Sequence, residues 1–248
     1  MRTLREARDP AWTRFEQSIK TQPGGRRSGN VTACAFASLV TGEKEYFDSA
    51  WNTVRTRIYR NGTDRAGGLF PILDLYRGDR HEAAFSGGVL IGAIAHFYDW
   101  AFTQLTPDQR SDIVTWLYDA VAFTHLENSD ALLHMRNDGA SVTQGVAAAA
   151  YAVLGDDPRG EQPLAWFRER WDQTVKALDT MGKGGATGEG NAYGTSPTGS
   201  GFIVAANVAY TAAGDDLFAS HPWFRQRLLY DAFAAYPGLL GGPGAPRC

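Results

Sequence analysis

Four segments of the chain are rich in small and apolar residues, and each is followed by a charged amphipathic segment. The small-residue segments cover 30–40, 85–102, 134–154 and 196–213, and the charged segments begin near Lys44, Thr106, Pro163 and Pro222. Apolar residues recur at helical spacing in the charged segments, for example at Ile113, Trp116, Leu117 and Val121, which predicts helices. A helix with few large side chains packs well only where other backbones come close, so the small-residue segments are predicted to be inner helices.

The alternation of small-residue helix, turn, charged helix and polar loop occurs four times. The turns fall near Gly42, Leu105, Gly155 and Gly214, so the repeat is roughly 50–63 residues long. A repeated helical hairpin cannot bury its apolar face alone, and neighbouring hairpins must therefore stack. We predict an all-α domain over 1–236, an incomplete (α/α) toroid of about four hairpins with charged helices outside, followed by a Gly/Pro-rich tail or truncated linker at 237–248. An open solenoid remains an alternative. Few stretches alternate polar and apolar residues with period two, so a substantial β-sheet is not expected.

In such an array the loops that precede the small-residue helices lie on one rim, together with the helix N-termini. These loops carry Arg26, Arg27, Asn30, Arg77, Arg80, His81, His134, Arg136, Asn137, Asp138, Lys183, Glu189, Asn191 and Tyr193. Helix N-termini favour anions because their N–H groups and positive dipole ends point outward. The opposite rim carries Glu43, Asp156, Asp157, Asp215 and Asp216. An anionic ligand at the first rim is therefore the expected partner.

Several of these residues also have simpler interpretations. His81 stands next to Glu82 and could form a surface ion pair with it. Asn137 or Asp138 could cap the third small-residue helix, since Asn and Asp are preferred N-cap residues. Tyr193 could be a packing residue, and Arg26 and Arg27 could be solvated loop charges. The glycines within 184–190 are weak as a phosphate-binding pattern, because no strand precedes them and no Lys-Ser/Thr follows.

Composition and charge narrow the possible partners. The net charge of −3 and the charged fraction of 21% are ordinary for a globular protein and predict neither nucleic-acid nor membrane binding. The most apolar run, 89–94, is far shorter than the ~20 residues of a membrane span. Cys34 and Cys248 do not make a disulfide framework or a metal cluster, and Cys34 is expected to be a packed thiol. The charged segment 1–10 does not read as a signal peptide.

Three segments together resemble the heparinase II/III-like polysaccharide lyases. Tyr98-Asp99-Trp100 and the following 104–110 segment, Gln-Leu-Thr-Pro-Asp-Gln-Arg, are similar to one family motif. The 187–193 segment, which ends in Tyr193, and the 221–224 segment, His-Pro-Trp-Phe, are similar to two others. The resemblance implies an α/α toroid that cleaves glycosaminoglycans or alginate by β-elimination. It also implies a C-terminal β-sandwich domain and a secreted or periplasmic location.

In this mechanism the uronate carboxylate is neutralised, a base removes the C5 proton and an acid protonates the leaving oxygen. By resemblance Asn137 is the neutralising amide and Tyr193 the acid, with a second role as base; Arg136 or His134 would supply the cation that lowers its pKa. The family usually has His after this Asn, where the chain has Asp138, and His134 or His81 is the candidate to compensate. Arg136, His81, Arg80, Arg77, Asn30, Glu189 and Asn191 are the predicted substrate-binding residues. No cofactor or metal is implied.

Two alternatives remain from the residues alone. A glycoside hydrolase on an α/α barrel needs two opposed carboxylates about 5–10 Å apart, and Asp138 with Glu189 is the pair on the rim that could serve. A non-catalytic glycan-binding toroid is the other alternative, because Asp138 replaces the imidazole that the family carries. Saturated products would indicate a hydrolase, and binding without turnover would indicate the non-catalytic toroid.

Overall fold

The computed structural model describes residues 9–20, 28–127, 136–188 and 199–234 of the 248-residue chain, and these ranges are helical. An isolated bridge between Tyr59 and Leu69 is the extent of β-pairing within them. The α-helices are α1 (Pro10–Lys20), α2 (Ser28–Thr41), α3 (Lys44–Ile58), α4 (Ile72–Leu75), α5 (Arg80–Ala101), α6 (Pro107–Glu127), α7 (Asn137–Val153), α8 (Glu161–Met181), α9 (Gly199–Ala213) and α10 (Trp223–Ala234). Short 3₁₀ turns lie at Arg65–Gly67, Phe102–Gln104, Lys183–Gly185 and Leu217–Ser220. The all-α prediction is confirmed.

The small-residue helices form a row in which α2 packs on α5, α5 on α7, and α7 on α9. The charged helices α3, α6 and α8 pack against α2, α5 and α7 respectively, so the chain folds as consecutive helical hairpins. The two ends of the row, α2 and α9, share no contact of comparable extent in the part of the chain that the structure describes. The small-residue helices of the row and the charged helices packed on them therefore form the two layers of a helical array.

The helices of the row run parallel to one another. Along α5 and α7, His81 faces Asp138, the hydroxyl of Ser141 donates to the Phe85 carbonyl at 2.6 Å, and Gly88 faces Gly145 further on. The paired residues advance in the same direction along both helices, which places the N-termini of α5 and α7 at one end of the array. The N-terminus of α9 joins them, because Gly201 packs on the backbone of Ala140 in the first part of α7.

The opposite end of the row carries a repeated side-chain hydrogen bond. In each case a polar side chain in the last turns of one small-residue helix meets the segment that follows the next one. The pairs are Gln104 Nε2 to Ser38 Oγ at 3.1 Å, Tyr98 Oη to Asp156 Oδ2 at 3.3 Å, and Tyr151 Oη to Asp215 Oδ2 at 2.7 Å. The acidic turns thus accept hydrogen bonds from the row, and the repeat found in the sequence has a structural counterpart.

Two helix starts show how local sequence sets the element bounds. Thr106 and Gln109 form the predicted capping box at the start of α6: the Thr106 amide donates to Gln109 Oε1 at 2.9 Å, and the Gln109 amide donates to Thr106 Oγ1 at 3.2 Å. The helix predicted to begin near Phe85 begins instead at Arg80, because the Asp79 side chain accepts from the Glu82 amide at 3.1 Å and caps it. Asp79 therefore brings the first turn of α5 to the rim.

Candidate functional site

The site is built around the first turn of α7, where three of the predicted residues are consecutive. Arg136 occupies the N-cap position with an extended backbone, and its side chain makes no capping hydrogen bond. Asn137 Oδ1 accepts from the Asp138 amide at 2.8 Å, and Asp138 Oδ1 accepts from the Gly139 amide at 3.0 Å. Neither Asn137 nor Asp138 holds the N-cap position, but both accept first-turn N–H groups, so the helix start is satisfied by its own side chains.

Asp138 is buried, with 1% of its surface exposed, and a histidine and two arginines from three helices lie around it. Its Oδ1 lies 3.8 Å from Arg136 Nε, and its Oδ2 lies 3.8 Å from His81 Nδ1 of α5. The third group is Arg170 of α8, whose charged form Asp138 stabilises. A buried carboxylate is costly unless it is compensated, and these contacts compensate it.

Arg170 of α8 forms hydrogen bonds with the first turns of α7. It is 3% exposed and donates from Nε to Thr143 Oγ1 at 2.9 Å and from Nη2 to the Gly139 carbonyl at 3.1 Å. Thr143 in turn donates to the same Gly139 carbonyl at 2.7 Å. Burial lowers the pKa of Arg170 to about 9, which still leaves the guanidinium charged at neutral pH. The floor of the site is therefore a buried Arg–Asp pair joined by backbone hydrogen bonds.

Arg170 was not among the predicted site residues, although its position in the sequence contains a signal for a buried polar contact. The buried residues of α8 include Phe167, Arg170, Trp171 and Thr174, which share one face of the helix. An arginine in an apolar stripe has to meet a charge or several acceptors, since a long charged side chain is rarely fully buried without partners. That position alone predicts a buried polar contact, but the identity of the partner requires the tertiary structure.

His81 forms the exposed wall of the site. Its side chain is 62% exposed and its ring stacks on Phe85, with 6.5 Å between ring centroids. The alternative pairing with Glu82 is not formed, because Glu82 accepts from the Ser86 hydroxyl at 2.7 Å. The structure therefore brings together four predicted residues, His81, Arg136, Asn137 and Asp138, which come from two parallel helices.

The remaining predicted residues are placed less closely or not at all. Arg77, with a positive φ of 55°, and Arg80 precede His81 at the same end of α5. Asn30 lies in the first turn of α2, and the exposed Lys183 is the first residue of a 3₁₀ turn. The predicted residues that lie outside the described residues are Arg26, Arg27, His134, Glu189, Asn191 and Tyr193.

The Gly-rich segment that leads toward Tyr193 is anchored on α10. Trp223, which is fully buried, donates from Nε1 to the Ala186 carbonyl at 2.7 Å. Arg227 donates from Nη1 to the Gly185 carbonyl at 3.1 Å, and a Cβ at Gly185 would lie 2.6 Å from the Arg227 amide nitrogen. His221 accepts from the Trp223 amide at 3.0 Å through Nδ1. The His-Pro-Trp-Phe segment thus serves to hold 185–186 in place.

Neither a metal-binding cluster nor a helix that could span a membrane is found in the described ranges. They contain no group of three or more His, Cys, Asp or Glu side chains that could hold a metal ion. None of the helices in these ranges is long and apolar enough to cross a membrane. Cys34 is buried at 2% exposure, as the sequence predicts, and burial raises the pKa of its thiol.

Comparisons with known proteins add no assignment. No protein-family model matches the chain, and a search of curated proteins gave no significant match.

Proposed function

We propose that the chain is the helical part of a polysaccharide lyase that cleaves a uronate-containing polysaccharide by β-elimination. The supporting observation is the meeting of exposed His81 with Arg136 and Asn137 above the buried Asp138–Arg170 pair. A row of parallel small-residue helices with charged helices on one side is what part of an α/α toroid would contain. Ring closure and a β-sandwich partner domain belong to this proposal.

The rim at the start of α7 suits a carboxylate ligand. Arg136 is exposed, Asn137 is half-buried, and the N-termini of α5 and α7 contribute their positive dipole ends at the same place. In the proposed reaction the Asn137 amide and the Arg136 guanidinium bind the uronate carboxylate. Their electrostatic stabilisation makes the adjacent C5 proton more acidic.

His81 offers the imidazole that the residue after Asn137 does not provide. The ring belongs to a different helix, yet Nδ1 lies 3.8 Å from the Asp138 carboxylate. This distance is longer than a hydrogen bond, and such contacts often shorten when a substrate binds. Asp138 would act as a positioning residue that orients the His81 ring, while His81 would take the C5 proton or stabilise the carboxylate.

Tyr193 is proposed as the group that protonates the leaving glycosidic oxygen. The backbone at 185–186 contacts α10, and Gly201 of α9 packs on Ala140. Ala140 is only three positions after Asn137, and Tyr193 precedes Gly201 by eight positions. The support for this role is the resemblance of the 187–193 segment, which ends in Tyr193, to the family motif.

The test is an ultraviolet assay for the unsaturated uronate formed by elimination. Wild type is incubated with heparan sulfate, heparin, hyaluronan, chondroitin sulfate and alginate beside Tyr193→Phe and a matched control, Tyr210→Phe. Tyr210 is 56% exposed on α9, so its change leaves the proposed site intact. Activity on one of the five that Tyr193→Phe loses and Tyr210→Phe keeps would support the proposal. No elimination product from folded protein on any of the five would contradict it.

A second candidate function is a non-catalytic glycan-binding domain. The specific observation is that Asp138, at the position where the resembling family has His, is engaged by Arg170 and is 1% exposed. Equal glycan affinity of wild type and Tyr193→Phe, without turnover by either, would favour this candidate. The glycoside hydrolase alternative gains no support, because the Asp138 carboxylate is buried among cations rather than facing a cleft.

A further inference from the structure

A second concave site lies at the opposite end of the small-residue row, away from the rim. A cavity of about 340 Å³ opens between the last turns of α5, α7 and α9. Its volume falls in the range of small-molecule sites, about 300–1,000 Å³. Alanine and valine side chains form much of the wall, and the polar and aromatic lining residues are His96, Asp99, Trp100, Tyr151, Asn207 and Thr211.

Two polar residues of this cavity, Asp99 and Asn207, are exposed to solvent. The Asp99 carboxylate and the Asn207 carboxamide make no side-chain hydrogen bond or ion pair with any residue that the structure describes. The Tyr151 hydroxyl, in contrast, is already used in its 2.7 Å hydrogen bond to Asp215. Asp99 is the negative charge among the lining residues; partial desolvation raises the pKa of its carboxyl, and the nearby His96 opposes that rise.

The electrostatics of the cavity favour a positive ligand. No Lys or Arg is among its described lining residues, and the C-termini of three helices, with their negative dipole ends, converge there. Burial lowers the pKa of His96, so the imidazole is neutral at neutral pH. The nearby Asp215 is only partly offset by Arg168, whose Nη2 lies 3.8 Å away.

The aromatic lining adds a second attraction for a cation. Trp100 is half-buried, and its ring lies against His96 with 5.0 Å between centroids. Indole and phenol rings attract ammonium groups through their negative faces, most strongly where water is partly excluded. A carboxylate, an indole and apolar walls in one cavity make a site for an ammonium group that is carried on a small apolar body.

We propose that the cavity between α5, α7 and α9 binds a small organic ammonium ion, with Asp99 as its counter-ion and Trp100 as its aromatic contact. The side chains of Asn207 and Thr211 would form hydrogen bonds with a hydroxyl group of the same ligand. This site is separate from the proposed lyase rim and does not depend on it. An anionic ligand is disfavoured by Asp99, and an uncharged ligand is distinguished by the experiment.

The test compares choline with 3,3-dimethyl-1-butanol, which has the same shape but no charge. Binding is measured near neutral pH by calorimetry and by the shift of the Trp100 indole N–H resonance, assigned with Trp100→Phe. We expect choline to bind about tenfold or more tightly than the neutral isostere. Asp99→Asn should remove this preference while the protein stays folded.

The matched control is Asp119→Asn on α6, which removes another partly desolvated carboxylate without touching the cavity. It should keep the choline preference. A blocking variant, Ala212→Phe at the cavity wall, should abolish binding of both ligands, and it tests the location if Asp99→Asn is unstable. No binding of choline, equal binding of the two ligands, or equal losses in Asp99→Asn and Asp119→Asn would overturn the proposal.

Discussion

Gly145 of α7 lies directly against Gly88 of α5: a Cβ placed on Gly145 would come within 2.1 Å of the Gly88 carbonyl oxygen. At this contact each helix lacks a side chain toward the other, so the two backbones come close together. It fixes the distance between the first turns of the two helices, which carry His81 and Asp138. The contact that allows the inner row to pack therefore also sets the geometry of the candidate site.

Gly145→Ala should destabilise the protein relative to an alanine placed at an uncrowded glycine of the same helix row. The added methyl has to displace backbone, and overpacking of this kind costs about 1–3 kcal/mol or more, against a gain of about 1 kcal/mol in helix propensity. The matched control is Gly92→Ala, whose Cβ would lie 3.6 Å from the Gly145 Cα, an ordinary contact. Urea unfolding followed by circular dichroism measures both. A Gly145→Ala protein as stable as Gly92→Ala would contradict the packing.

Arg170→Met should lower the free energy of unfolding by about 3–5 kcal/mol, because it removes one of the charges that compensate the buried Asp138 carboxylate. The neighbouring Arg168→Met serves as control, since Arg168 is 63% exposed and its pairing with Asp215 is a surface contact worth about 0–1 kcal/mol. Chemical denaturation of both variants gives the comparison.

A double variant distinguishes charge from packing at the same place. Adding Asp138→Asn to Arg170→Met removes the uncompensated charge, so part of the lost stability should return. If the double variant is as unstable as the sum of the two single changes, the coupling between Arg170 and Asp138 is absent and the account of the site floor is wrong.

His81→Gln should reduce elimination about 10²–10⁴-fold if the proposed lyase reaction occurs, because a positioned acid or base contributes that much. His125→Gln is the control, since His125 is a partly buried histidine of α6 that pairs with Glu169 at 3.7 Å. Initial rates of unsaturated-product formation are compared across the pH range of activity. A His81→Gln enzyme with the wild-type rate and pH profile would remove His81 from the chemistry.

His96 should make the protein less stable in mild acid. Burial lowers its pKa from the ordinary 6.5, so the unfolded chain takes up a proton at a higher pH than the folded one. Its contribution to stability is complete above about pH 6.5 and is lost as the pH falls through the lower folded pKa. His96→Gln should flatten this fall, measured as unfolding free energy at several pH values between about pH 7.5 and 5.5. Parallel pH curves for the two proteins would contradict this assignment.

Much of the helical architecture follows from the order of small, apolar and charged residues along the chain. Small residues at helical spacing predict helices that need close neighbours, and the Thr106–Gln109 pair predicts the start of α6. The same reasoning selected His81, Arg136, Asn137 and Asp138 as rim residues, because loops before parallel helices share one end. These features depend on neighbours within a few positions in the chain, and for this reason a single sequence contains them.

Which side chains contact one another at the candidate site was decided only by the tertiary structure. Arg170 is 32 positions from Asp138, on the other helix of the same hairpin, and His81 is 57 positions away in another hairpin, so no local spacing connects either with it. The cavity of Asp99 and Asn207 exists only because three helices end at one place. The sequence by itself determined which helices could lie inside and which polar residues their loops carried; packing at Gly88 and Gly145 decided which of those residues meet, because helix separation and register depend on contacts between segments far apart in the chain.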